Sequence, residues 1–236
     1  YTPPPFLVDK VDLEIELGEE WSTVKARLCF RSNPDFKGKN STLVLDGQNM
    51  KLHEIRLDNM QMNSNQYSVD ESHLTIKNVP KKFELETEVR IQPQNNTELE
   101  GLYKSGQIFC TQCESEGFRK ITYFIDRPDV MSLFSTKITA DNGKYPIILS
   151  NGNPVESGEM DDGRHWIKWV DPYLKPSYLF ALVAGNLLHI EDKFTTASGR
   201  DVTLKIYVEP ENIEYCKHAM RSLKESMRWD EERFGR

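Results

Sequence analysis

Val11, Leu13, Ile15 and Leu17 alternate with Asp12, Glu14 and Glu16. A period of two marks a strand with one face in a core and the other in water. A Gly-Glu-Glu turn follows at 18–20, and then Val24, Ala26, Leu28 and Phe30 alternate again. Residues 11–30 therefore predict a hairpin. FELETEVRI repeats the pattern with Phe83, Leu85, Val89 and Ile91. YPIILSNGNPVESGEM carries Asn151-Gly152, two residues that tolerate positive φ, and predicts another hairpin. GRHWIKWVD reads as a short strand. The longest apolar run, YLFALVAG (Tyr178 to Gly185), has the length of a buried strand and falls well short of the roughly 18–20 residues that span a bilayer. Many short strands broken by Gly, Asn, Pro and Asp predict a mainly β domain, either an antiparallel β-sandwich or a large saddle-like sheet.

The pattern changes after residue 186. TTASGRDVTLKIYVEP predicts a β-hairpin in which Val202, Leu204, Ile206 and Val208 alternate. Beyond Pro210, the residues Ile213, Cys216, Met220, Leu223, Met227 and Phe234 fall on one stripe of a 3.6-residue period, which predicts one α-helix. Pro210 suits a first helical turn and Gly235 a C-terminal stop. The expected division is thus 1–186 and 187–236. A segment of about 50 residues builds little core alone. It is expected to open a second domain that this truncated chain does not complete, and its unpartnered stripe is expected to self-associate or lose order.

Composition narrows the function. The 236 residues carry a net charge of −7, with 38% apolar and 28% charged residues. Such a chain suits a soluble globular protein. Nucleic-acid backbones and anionic membranes need a basic face, so neither is expected as a partner. Four scattered cysteines do not form a disulfide framework and point to a reducing compartment. Sequons at Asn40 and Asn95 would matter only in a secreted protein.

One stretch invites chemistry: CTQCESEGFR, residues 110–119. A structural zinc wants four Cys or His ligands, usually as two close pairs. Cys110 and Cys113 have no second Cys pair to join, since Cys29 and Cys216 are isolated, and the histidines, with His189 and His218 read as surface residues, show no close ligand spacing. Both cysteines read as packing residues on a strand. On that strand Gln112, Glu114 and Glu116 would share one face. Two readings stay open on composition alone: the wet face of an edge strand, or a carboxylate aimed into a cleft to bind a cation. The nearby FIDRPD segment, residues 124–129, reads as local ion pairs and turn hydrogen bonds around Pro128.

Longer segments carry a resemblance. FCTQCESEGFRKITYFIDRPDVMSLFSTKI (109–138), LSNGN (149–153), GRHWIKW (163–169), KPSYLFALVAGNL (175–187), FTTASGRDVTLKIYVE (194–209) and SLKESMRWDEERFG (222–235) closely resemble, in order, the N-terminal part of the bacterial aminopeptidase N family, zinc aminopeptidases of the thermolysin-like clan. The resemblance is strong from Tyr103 onward and looser before it.

The resemblance implies a saddle-like β-domain followed by the start of a catalytic domain, with the remainder of that domain as a partner in cis. It implies removal of N-terminal residues from peptides that have a free N-terminus. It also implies zinc in the full-length enzyme, a monomeric parent and a bacterial cytoplasmic location. The family's H-E-x-x-H zinc helix and its Gly-Ala-Met-Glu-Asn segment do not occur here. No catalytic residue, metal ligand or zinc is therefore expected in this chain, and alone it is expected to be inactive. What carries over is substrate binding. The glutamate at the Glu114 position reaches into the family's active site and holds the substrate α-amino group, and the glutamine at the Gln112 position lines the same pocket. Glu116 gains no such role. The competing reading, from the β pattern alone, is a free-standing β-sandwich binding module without catalysis.

Overall fold

The computed structural model describes residues 1–38 and 41–235, so the Asn40 sequon lies outside the described residues. The chain divides into two compact units, Tyr1–Gly185 and Asn186–Arg236. Strands in the first unit are β1 (Phe6–Glu16), β2 (Ser22–Ser32), β3 (Leu43–Asp46), β4 (Lys51–Leu57), β5 (Met60–Gln61), β6 (Tyr67–Val69), β7 (His73–Ile76) and β8 (Lys82–Ile91). They continue with β9 (Gly101–Ser105), β10 (Ile108–Gln112), β11 (Ser132–Asp141), β12 (Ile147–Ser150), β13 (Asn153–Glu159), β14 (Arg164–Lys175) and β15 (Leu182–Gly185). The Asn95 sequon falls in a short 3₁₀ turn, Pro93–Asn95.

An eight-stranded sheet, ordered β13-β14-β11-β1-β2-β8-β4-β5, forms the frame. The predicted first hairpin is present: Val11 pairs with Leu28 and Leu13 with Ala26. The inward residues of β1, β2 and β8 are fully buried, among them Leu13, Ile15, Leu28, Leu85 and Val89. Each such side chain contributes roughly 1.5–3 kcal/mol when withdrawn from water. Phe30 stacks on Phe83 at 4.9 Å, and Phe6 meets the same ring edge-on at 5.7 Å. Two smaller sheets, β12-β15-β10-β9 and β3-β7-β6, add their buried residues to the same core.

Two features depart from the expected antiparallel plan. β1 pairs with β11 in parallel, Leu13 opposite Thr136 and Ile15 opposite Ile138. The expected hairpin at Asn151-Gly152 does not form, because its arms enter different sheets: β12 pairs with β15 and β13 with β14. Of the two residues expected to take positive φ, only Gly152 does so. Gly152 has φ +83°, and an added Cβ would lie 2.2 Å from the Val170 carbonyl oxygen. Asn151 serves the next segment instead, donating from Nδ2 to the Leu179 carbonyl at 3.0 Å and accepting from the Ala181 N–H at 2.7 Å.

In the second unit β16 (Leu188–Thr195) pairs with β17 (Asp201–Val208), and α1 spans Cys216–Phe234. A 3₁₀ turn over Pro210–Tyr215 precedes the helix, so α-helical geometry begins later than the apolar stripe. Gly235 ends it at φ +80°, donating its N–H to the Glu231 carbonyl. Phe194, Leu204 and Met220 form a small core. Leu223, Trp229 and Phe234 stay exposed, the last two at 59% and 72%. No helix among the described residues is long and apolar enough to cross a membrane.

Candidate functional site

β10 lies inside the four-stranded sheet, between β9 and β15, and Cys110 pairs with Tyr103 on one side and Val183 on the other. Phe109 fixes the strand by full burial against Tyr145, ring centroids 5.0 Å apart. The strand stops at Gln112. The expected strand face shared by Gln112, Glu114 and Glu116 is therefore not formed. Residues 114–116 make a turn, and Gly117–Lys120 form a 3₁₀ helix.

Packing turns the chain here. Cys113 is buried, and its carbonyl accepts the Gly117 N–H at 2.8 Å. Burial pushes its thiol well above the ordinary value, with the Asp126 carboxylate adding to the shift, so it stays protonated and inert. Gly117 stands where a side chain has no room, and Phe118 drops into a cluster with Phe124, Phe134 and Phe180 at 5.1–6.0 Å.

Between these anchors, Glu114 is exposed. Among the described residues no side chain pairs with its carboxylate. The Gln112 Nε2 donates to the Glu114 carbonyl oxygen at 3.1 Å, which brings the two predicted site residues side by side. The Glu114–Ser115 peptide bond is cis. Glu116 is also exposed but is engaged by Arg119 at 3.3 Å.

Arg119 is the hub that local reading of FIDRPD missed. Arg127 and Asp129 do form the expected local pair, two bonds of 2.8 Å. Asp126, however, points away from them. Its Oδ2 accepts from both the backbone N–H and the Nε–H of Arg119, each at 3.1 Å, and its Oδ1 accepts from Ser177 Oγ at 2.6 Å. The Asp126 side chain is 1% exposed. Asp46 completes the net: its Oδ1 lies 3.6 Å from the Arg119 guanidinium and its Oδ2 accepts the Asp126 N–H at 3.1 Å. An isolated Gly inside a strand-like run was the one local hint that the chain bends at 117.

The other candidates have structural partners. His189 stacks with Tyr207 at 4.9 Å, and His218 Nδ1 meets Arg221 at 3.1 Å. Among the described residues no three His, Cys, Asp or Glu side chains are grouped to hold a metal. A cleft of about 820 Å³ lies elsewhere, on the polar face of the large sheet. Most of its lining charges pair within the chain, for example Arg27 with Glu86 at 2.7 Å and Lys10 with Asp12 at 2.7 Å.

Comparison with known proteins adds independent findings. The family model for the peptidase M1 N-terminal domain matches residues 9–179. The chain is 51% identical over 236 residues to aminopeptidase N of Caulobacter vibrioides, covering 100% of this chain and 27% of that protein. It is 46% identical over 235 residues to aminopeptidase N of Escherichia coli, covering 100% of this chain and 26% of that one. The chain thus spans about a quarter of the length of these relatives. Among solved structures, aminopeptidase A of Legionella pneumophila, in complex with aspartic acid, superposes with a TM-score of 0.95 at 38% identity over 100% of this chain and 28% of its own. An M1 zinc metallopeptidase from Deinococcus radiodurans shares the fold, with a TM-score of 0.71 at 13% identity over 86% of this chain and 47% of its own.

Proposed function

This chain belongs to the peptidase M1 N-terminal domain family, and from that premise we propose that it is the N-terminal part of a zinc aminopeptidase and supplies the carboxylate that anchors the substrate's α-amino group. Glu114 is that anchor and Gln112 lines the same pocket. Residues 1–186 are the N-terminal domain, and 187–236 begin the catalytic domain, whose remainder acts in cis. The substrates are peptides with a free N-terminus, and the enzyme works as a monomer in the bacterial cytoplasm. In the whole enzyme zinc would activate the hydrolytic water.

One observation supports the reading above the rest. Glu114, whose carboxylate has no side-chain partner among the described residues, stands on a turn that is pinned on both sides, by buried Cys113 and buried Phe118. A substrate amine has a pKa near 7.7–8.0 and is mostly an ammonium at neutral pH. An acceptor-only carboxylate binds it through charge-assisted hydrogen bonds. A rigid anchor also fixes how far the first peptide bond lies from the reacting centre, so one residue leaves per turnover. An interior peptide bond offers no ammonium and leaves the carboxylate unsatisfied, which disfavours endopeptidase activity.

Steady-state kinetics of Glu114→Gln in the full-length enzyme test this reading. Loss of a charged hydrogen bond costs roughly 1–3 kcal/mol. KM for aminoacyl substrates should therefore rise about 5- to 150-fold. An unchanged KM would refute the anchor.

A further inference from the structure

We propose that Arg119, working through Asp126 and Ser177, is the positioning residue that sets where the Glu114 carboxylate stands. The inference rests on the reading of Glu114 as the substrate anchor. Glu114 lies two residues beyond the end of β10 and, among the described residues, has no side-chain partner. Nothing in its own side chain therefore fixes it, and its place is set by the backbone on either side.

Behind it, Cys113 is buried. Ahead of it the chain is held by Arg119, which unites four separate stretches. Its guanidinium bonds the Asp126 carboxylate at 3.1 Å and the Asp126 carbonyl at 3.2 Å, with Asp46 3.6 Å away. Its backbone carbonyl accepts the Gln48 N–H at 2.9 Å. The same guanidinium reaches back to Glu116 at 3.3 Å, inside the turn that bears Glu114. Ser177 holds the second Asp126 oxygen at 2.6 Å, so the acid cannot swing away from the arginine.

A planar fork that bonds the buried Asp126 through its carboxylate and its backbone carbonyl defines an orientation that a flexible ammonium cannot reproduce. A turn held in this way presents its exposed carboxylate at one place, and small displacements of such a group carry large kinetic penalties.

The test uses the full-length enzyme. Arg119→Lys keeps the positive charge beside Asp126 and removes the fork. Ser177→Ala leaves Arg119 intact and frees one Asp126 oxygen. Both are made alone and in the Glu114→Gln background, with thermal unfolding measured for each. Arg119→Lys should raise KM about 10-fold with kcat nearly kept, and Ser177→Ala should raise it about 3-fold. In the Glu114→Gln background neither should raise KM further, because both act through Glu114. Penalties that persist in that background, or a fall in kcat at unchanged KM, would overturn the positioning role and leave the anchor standing. If Glu114→Gln itself leaves KM unchanged, the anchor fails and this inference fails with it. Should Arg119→Lys not fold, Ser177→Ala decides alone by the same criteria.

Discussion

A Cβ placed on Gly117 would lie 2.5 Å from the carbonyl oxygen of Gln112. It would also lie 2.8 Å from the Gly101 nitrogen, so both close approaches are to backbone that cannot rotate away. Gly117→Ala must therefore push the turn bearing Glu114 off its bed. Overpacking of this kind costs about 1–3 kcal/mol. The melting temperature should fall by roughly 2–12 °C, given about 2–4 °C per kcal/mol for a unit of this size. Calorimetry checks it, and an unchanged melting temperature would mean that the turn yields freely.

Glu19 predicts an acid-sensitive contact. Its carboxylate accepts from Lys104 at 2.7 Å, from the Tyr145 hydroxyl at 2.8 Å and from Lys144 at 3.2 Å. These bonds, Lys104 first, hold its pKa down at about 2 against an ordinary 4.5. The folded-state value is the lower one, so the stabilisation is complete above about pH 4.5 and fades as pH falls toward 2. Solvent reaches nearly half of this side chain, which weakens the effect. Glu19→Gln should lower the urea midpoint at pH 7, and the gap to the parent should close near pH 2. A gap that stays constant across that range would remove the carboxylate from the account.

Asn151 ties the turn after β12 to the segment before β15 with two hydrogen bonds. Asn151→Ala removes both and should cost about 1–3 kcal/mol, since each net bond contributes about 0.5–1.5. Asn151→Asp keeps the acceptor for Ala181 and loses the donor to Leu179, so it should recover part of the loss. Urea titration of the pair tests this, and equal stability of all three forms would show the contacts to be idle.

The stripe expected to lack partners is partly covered, with Cys216 and Met220 buried, but other apolar residues of α1 bear on solution behaviour. Leu223, Trp229 and Phe234 lie open on the helix surface, with the Trp229 and Phe234 rings packed edge-on at 5.7 Å. The isolated chain should self-associate through this surface. Sedimentation equilibrium should give a mass above 27.4 kDa that rises with concentration. Trp229→Ser should lower it. A monomer across the whole concentration range would contradict the expectation.

Much of the frame is written in local periodicity. The alternation at 11–17 and 24–30 became β1 and β2, paired as the expected hairpin, and the stripe from Cys216 onward became α1. Pairings between distant segments were not readable. Nothing near Leu13 announces Thr136 as a parallel neighbour. Asn151-Gly152 predicted a hairpin that does not form, because a local turn signal does not specify which sheet each arm joins. The candidate site divides in the same way. Gln112 and Glu114 were singled out in the sequence by resemblance. The Arg119–Asp126–Ser177 net was missed because hydrogen bonds across 7 and 51 residues leave no periodic trace.

The parallel partnership of β1 and β11 also has a meaning in time. The chain must be made from Glu16 to Asp141 before β11 is complete, while β2 is available almost at once. At about 5–20 residues per second, synthesis leaves one edge of β1 open for roughly 6–25 s. Through that interval the nascent hairpin displays an unpaired row of amides and carbonyls beside a half-built core. Such an open edge is a template for pairing with another chain until β11 arrives to close it.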